Sequence, residues 1–203
     1  MKHMKHMKYR IRIPLTALAI AMLTMSAAAQ SKQETEKVTS LDSTVIALAE
    51  IWSLDQGVRS DVSLYLENNR KFNLRIDSIC FDKAIECIRH FGWVTDLGKY
   101  NSTHGYLLQA LTAVMLHSPH RLMDGDVYSL LRTEAEAGRL HPEALALFLD
   151  KYYVIYQKRS LYGSDFRKFL QPPALNPEDR PLSDSLRRDI GLSPLPDSLF
   201  RQP

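Results

Sequence analysis

Apolar residues recur every three or four positions between Leu41 and Leu66, the spacing of an amphipathic helix, with Ser40 or Asp42 as caps. The stretch "ENNRKFN" interrupts that pattern, and a second periodic segment runs roughly from Leu74 to Phe91, where Gly92 supplies a C-terminal stop. "GWVTDLGKYN" reads as a turn-rich connector. From His104 to His117 the chain is apolar almost all round, which marks a central helix. Ser118 and Pro119 then look like an N-cap and first helical residue, opening a helix that bends near Gly125 and ends near Gly138. Pro142 opens a further helix carrying Leu145, Phe148, Tyr152 and Ile155 at helical spacing. "SLYGSDFRKFL" loses the period around Gly163 and could form a short hairpin or a loop. The remainder is proline-rich, with one short helix near Asp184 to Ile190.

The expectation is an all-α, mainly helical fold: a compact multi-helix domain over residues 40–170, with a possible short β-hairpin. An extended Pro-rich tail, 171–203, packs its one short helix on that domain. No Gly-rich phosphate loop, internal repeat or coiled-coil heptad is present, and nothing calls for a cofactor.

The first helix contains an anomaly. "WSLDQGVRSD", from Trp52 to Asp61, sets an acid, an amide, a glycine and an arginine within five positions. At about 100° per residue, Leu48 and Leu66 lie about 20° to one side of Asp55 and Val62 about 20° to the other. Ile51 and Arg59 flank it at about 40° on opposite sides. Asp55 therefore points along the middle of the apolar stripe, Arg59 shares that face, and Gln56 points sideways. Charges directed inward have to be paired. One arrangement is an Asp55–Arg59 pair within the helix. The other is a polar pocket in which Asp55 acts as a base and Arg59 as an anion clamp.

Charge and cysteine usage change the picture at the N-terminus. Lys2, Lys5, Lys8, Arg10 and Arg12 precede an apolar run from Ile13 to Met25, and Ala27 and Ala29 fit the A-x-A cleavage rule. Residues 1–29 read as a signal peptide cleaved after Ala29, with 30–39 a flexible lead-in, which places the mature chain in a periplasm or outside the cell. The apolar run is too short to span a bilayer comfortably. The whole chain has 26 basic and 23 acidic residues, but the leader holds five of the basic ones and no acid, leaving 21 against 23. The mature net charge of −2 gives no footprint for nucleic acid, and no integral membrane segment follows the leader. Cys80 and Cys87, the two cysteines, share one helical stripe with Ala84, Ile88 and Phe91. Seven residues of helix separate them by about 10.5 Å, beyond the roughly 7 Å a disulfide tolerates, so they read as buried thiols packed as small apolar residues.

Other residues carry candidate chemistry. His117 ends the most apolar helix beside small residues, and is either a core histidine bonded to a carbonyl or part of a site. "HSPHRLMDGD" offers His117, His120, Asp124 and Asp126, but their spacing matches no strong zinc or calcium pattern, and no metal is expected. Asp150 shares an inward face with Ala146, Leu147, Tyr153 and Val154. Tyr162 and Ser164 stand around a flexible glycine with no nucleophile elbow.

Taken in order, Asp55-Gln56-x-x-Arg59, Gly92-Trp93, His117, Asp150, Leu161-Tyr162-Gly163-Ser164 and the closing "DSLRRDIGLSPL" resemble the bacterial domain-of-unknown-function family sixty-six twenty-four. The resemblance implies a small, mainly helical domain and brings no reaction with it. It carries over Asp55, Arg59, His117, Asp150 and Tyr162 as candidate pocket residues. The chain departs from that pattern at Leu116 (usually Gln), at Lys151 (usually Arg), and at Ser160, Ser164 and Asp165, which replace other polar residues. Two functions remain open. One is an exported domain binding a small ligand, or hydrolysing one, with Asp55, Arg59, His117 and Asp150 converging in a polar core pocket. The other is a non-enzymatic structural or protein-interaction domain whose buried polar network only specifies packing, with its partners unspecified.

Overall fold

The computed structural model describes residues 40–59, 69–164 and 174–200, with no strand among them. The expected signal peptide and lead-in, the end of the first helix beyond Arg59, and residues 165–170 of the expected hairpin lie outside the described residues. Ser43 to Pro203 forms one unit and is the subject below.

Helix α1 covers residues 40–57 and closes in a turn at Val58 and Arg59. Its inward stripe is Leu48, Ile51, Asp55 and Val58, all buried, as the angular count predicts. Helix α2, Asn69–Phe91, starts about five residues earlier than the apolar pattern suggests. It buries Cys80, Phe81, Ala84, Ile85, Cys87 and Ile88. Both cysteines are free. Burial, aided at Cys80 by the charges of Asp55 and Asp77, pushes each thiol up to about 11, so both are uncharged near neutral pH.

The apolar segment after the connector is not one helix. A short helix α3, Asn101–His104, leads into a 3-10 stretch at Gly105–Gln109 and then into α4, Ala110–His117. Gly105, a poor helix former, stands at the break. The segment opened by Pro119 is likewise a separate 3-10 turn, Pro119–Met123, after which extended Asp124 starts α5, Gly125–Glu136. Ser118 makes no side-chain cap bond, and its buried hydroxyl has no partner among the described residues. Helix α6, Pro142–Tyr152, is capped instead by His141, whose ring accepts from the Glu143 N–H at 3.2 Å. It runs on as a π-helical turn, Tyr153–Gln157, that stops at left-handed Lys158. The last helix, α7, Arg180–Asp189, begins earlier in the tail than the sequence pattern suggests.

One apolar core joins these elements. Leu48 and Ile51 of α1 meet the buried face of α2, the α4 residues Leu111, Val114 and Met115, Leu131 of α5, and Leu145, Phe148 and Leu149 of α6. Helix α4 packs against both α2 and α6. That layering brings the C-terminus of α4, with His117, next to the α1 face that carries Asp55.

Two glycines fix connections beside the core. Gly92 takes φ +76° just past α2 and donates to the Ile88 carbonyl at 2.8 Å, the expected helix stop. Its missing Cβ makes room first for Arg139, whose Nε would lie 2.9 Å away, and then for Glu134, whose carboxylate accepts from the Trp93 N–H at 2.7 Å and from Arg139 Nε and Nη2 at 2.6 and 2.7 Å. Gly163 has φ +65°, and a Cβ there would lie 2.6 Å from Leu195 Cδ1. The tail is held on this loop by polar contacts as well. Ser183 Oγ donates to the Leu161 carbonyl at 2.6 Å, and buried Arg187 donates to the Tyr162 and Ser193 carbonyls at 2.5 and 2.7 Å.

Gly163→Ala is expected to lower stability by about 1–2 kcal/mol from the left-handed backbone alone, with the Leu195 clash added. Pairing it with Leu195→Ala removes the clash but not the backbone cost, so urea unfolding of the double variant should show the backbone part of the loss persisting. Hydrogen bonds from Arg139, reinforced by the Trp93 N–H, hold the Glu134 carboxyl below its ordinary 4.5 against the opposing effect of burial. Its stabilisation is complete above that value and disappears as the pH falls through the lower folded one. Glu134→Gln should therefore lower stability at neutral pH and flatten the acid limb of a stability–pH curve.

Candidate functional site

Asp55 and Asp150 are both fully buried, yet their carboxylates are neutralised by different kinds of group. Around Asp55 the donors are side chains. His117 Nδ1 lies 2.9 Å from Oδ1, and Gln56 Nε2 donates to Oδ2 at 2.8 Å. Arg59 spans the group: Nη1 is 3.1 Å from Asp55 Oδ1 and 2.5 Å from the Asp55 carbonyl oxygen, while Nη2 reaches Asp77 Oδ1 of α2 at 2.6 Å. The i, i+4 pair foreseen in the sequence therefore forms and is extended by two partners from elsewhere in the chain.

An ionised carboxylate only accepts, so opposite an ionised Asp55 the His117 Nδ1 is the donor. Nε2 is then the ring's remaining polar atom, a lone pair when the imidazole is neutral and a donor when it is charged. The side chain of Asp55 is 1% exposed, whereas those of His117 and Arg59 are each 28% exposed. The acid is sealed and its two basic partners reach the surface. This is the geometry of a carboxylate–histidine pair in which the buried acid orients the imidazole ring.

Asp150 lies in a different network. Ser160 Oγ donates to Oδ2 at 2.8 Å, the Leu161 and Tyr162 N–H groups to Oδ1 at 2.7 and 3.1 Å, and the Ser164 N–H to Oδ2 at 2.9 Å. Four donors from residues 160–164 saturate both oxygens, so Asp150 organises that loop. Tyr162 takes part through its backbone. Its ring is buried 6.2 Å from Tyr153, and burial raises its phenol well above the ordinary value. Of the five residues singled out in the sequence, the structure brings Asp55, Arg59 and His117 together, and places Asp150 and Tyr162 in the second network.

Asp77 went unnoticed in the sequence. It sits 18 residues after Arg59 on the next helix, near the start of its apolar pattern, where an acid looks like ordinary surface charge. Gly92-Trp93 also acquires a structural meaning: Trp93 is buried against Phe148, ring centroids 5.8 Å apart, with its N–H on Glu134. Among the described residues no group of three or more His, Cys, Asp or Glu is placed to hold a metal ion, and no helix is long and apolar enough to cross a membrane.

Replacing Asp150 by Ala would strand three backbone N–H groups and one hydroxyl, at a cost of at least about 3 kcal/mol. Chemical denaturation should show that loss, and hydrogen exchange should show faster exchange at Leu161, Tyr162 and Ser164. No family model, characterised protein or solved structure matches this chain.

Proposed function

We propose that the chain is an exported member of the sixty-six twenty-four family that loses residues 1–29 and binds a small ligand at the Asp55–Arg59–His117 cluster. The order of its motifs supports the family, and the basic, apolar and A-x-A pattern of the N-terminus supports export. The observation that carries the binding role is the asymmetry of the cluster. A network serving packing alone is most stable when every member is enclosed and satisfied. Here the buried Asp55 orients a histidine whose other nitrogen has no partner among the described residues, beside a guanidinium that is also part-exposed. Such a pair can accept a hydrogen bond from a ligand hydroxyl or take its proton.

The test is a thermal-shift screen of the mature protein against small polar metabolites, charged and neutral. A ligand at about 100 times its Kd stabilises the native state by about 2.7 kcal/mol. The expected result is a hit whose stabilisation vanishes in His117→Gln while that variant stays folded, and whose affinity drops in Asp55→Asn. If no compound responds, and Asp55→Asn only loses stability by the roughly 3–5 kcal/mol typical of breaking a buried pair, the cluster is a packing device and the binding role is wrong.

A further inference from the structure

A cleft of about 470 Å³ lies between the turn that joins α5 to α6 and the connector after α2. None of Asp55, Arg59 and His117 lines it. Its volume falls within the range of about 300–1,000 Å³ found for small-molecule sites. The lining is mainly apolar, with Trp93, Leu140, Pro142 and Ala144 as walls and Arg139 and His141 among its polar groups. Trp93 is a rigid wall, because its ring packs on Phe148 and its backbone N–H is held by Glu134.

Arg139 and His141 are each fixed by a contact that leaves a donor over. Arg139 gives Nε and Nη2 to the two Glu134 oxygens at 2.6 and 2.7 Å. The guanidinium is planar, so Nη1 lies on the edge away from that carboxylate, and it has no partner among the described residues. His141 accepts the Glu143 N–H at Nδ1, which leaves the ring proton on Nε2. That N–H also has no partner among the described residues. The charges cancel, since Glu134 balances Arg139 and His141 caps α6 as a neutral ring. A bound carboxylate would bring an unbalanced charge against apolar walls. An ammonium would meet a Glu134 carboxylate that already takes three hydrogen bonds. A neutral carbonyl oxygen matches donors without net charge.

We propose that this cleft is a second binding site, for an uncharged, mainly apolar small molecule bearing a carbonyl group. The apolar body lies against Trp93, Leu140 and Pro142. The carbonyl accepts from Arg139 Nη1, with His141 Nε2 as the second donor of the cleft. The site stands apart from the role proposed for the Asp55 cluster.

Phenylacetamide, phenylacetate and phenethylamine share one apolar body and differ in headgroup: a neutral acceptor, an anion and a cation. Each is titrated against the Trp52→Phe protein, in which Trp93 is the one tryptophan left, and read by Trp93 emission. Phenylacetamide should change that emission saturably, with both charged probes at least about tenfold weaker. Ala144→Leu, which narrows the cleft from the first turn of α6, should weaken phenylacetamide at least about tenfold. His141→Asn keeps a good helix cap but removes the ring N–H, so it should weaken phenylacetamide about threefold or more with the fold intact by circular dichroism. The inference is overturned if phenylacetamide leaves Trp93 emission unchanged or if either charged probe binds as tightly. It is equally overturned if Ala144→Leu or His141→Asn binds phenylacetamide as the parent does.

Discussion

Removing a carboxylate from water costs several kcal/mol unless donors replace the lost hydration, and this core does so for the two fully buried aspartates, Asp55 and Asp150. The two solutions differ in kind. Asp150 is solvated by three backbone N–H groups and a hydroxyl from one short loop, none of which titrates near neutral pH. Asp55 is solvated by an imidazole, a guanidinium and an amide, all three from part-exposed residues. The first arrangement can only hold shape. The second leaves its basic members, His117 and Arg59, part-exposed, and that difference separates scaffold from candidate site.

The motif series divides along the same line. Gly92 clears space for the Glu134–Arg139 pair that receives the Trp93 N–H, and Asp150 gathers residues 160–164. Ser183 and Arg187 of the closing motif take the carbonyls of Leu161 and Tyr162 from the opposite side. The loop is thus gripped through its N–H groups by α6 and through its C=O groups by α7, which explains how the irregular stretch Ser160–Tyr162 can be buried. These motifs set where α6 lies against the tail.

Helices α1, α2 and α6 were legible because a 3.6-residue period leaves a mark within each segment, and the angular position of Asp55 followed from the same count. What the period does not encode is the partner across the core. Asp77 and Glu134 each look like surface acids on their own helices, and only the packing of α2 against α1, or of α5 against the Gly92 turn, gives them a role. Asp150 was legible as inward-facing, but its donors come from residues 160–164, where no periodicity exists to place them. The split of the segment before His117 was equally hidden, since 3-10 and α turns use the same residues and differ by one hydrogen-bond register.

The position of Arg59 at the end of α1 links these levels. Its fork joins the last turn of α1 to α2 through Asp77, so the side chain offered to a ligand is also the brace between two core helices. A ligand that drew Arg59 toward itself would pull against two carboxylates, and one of these, Asp55, also holds His117. A contact made at Arg59 is therefore linked to His117 through one shared carboxylate, without any helix having to move. A site made of surface residues alone would lack that coupling, because water would screen each charge from the next.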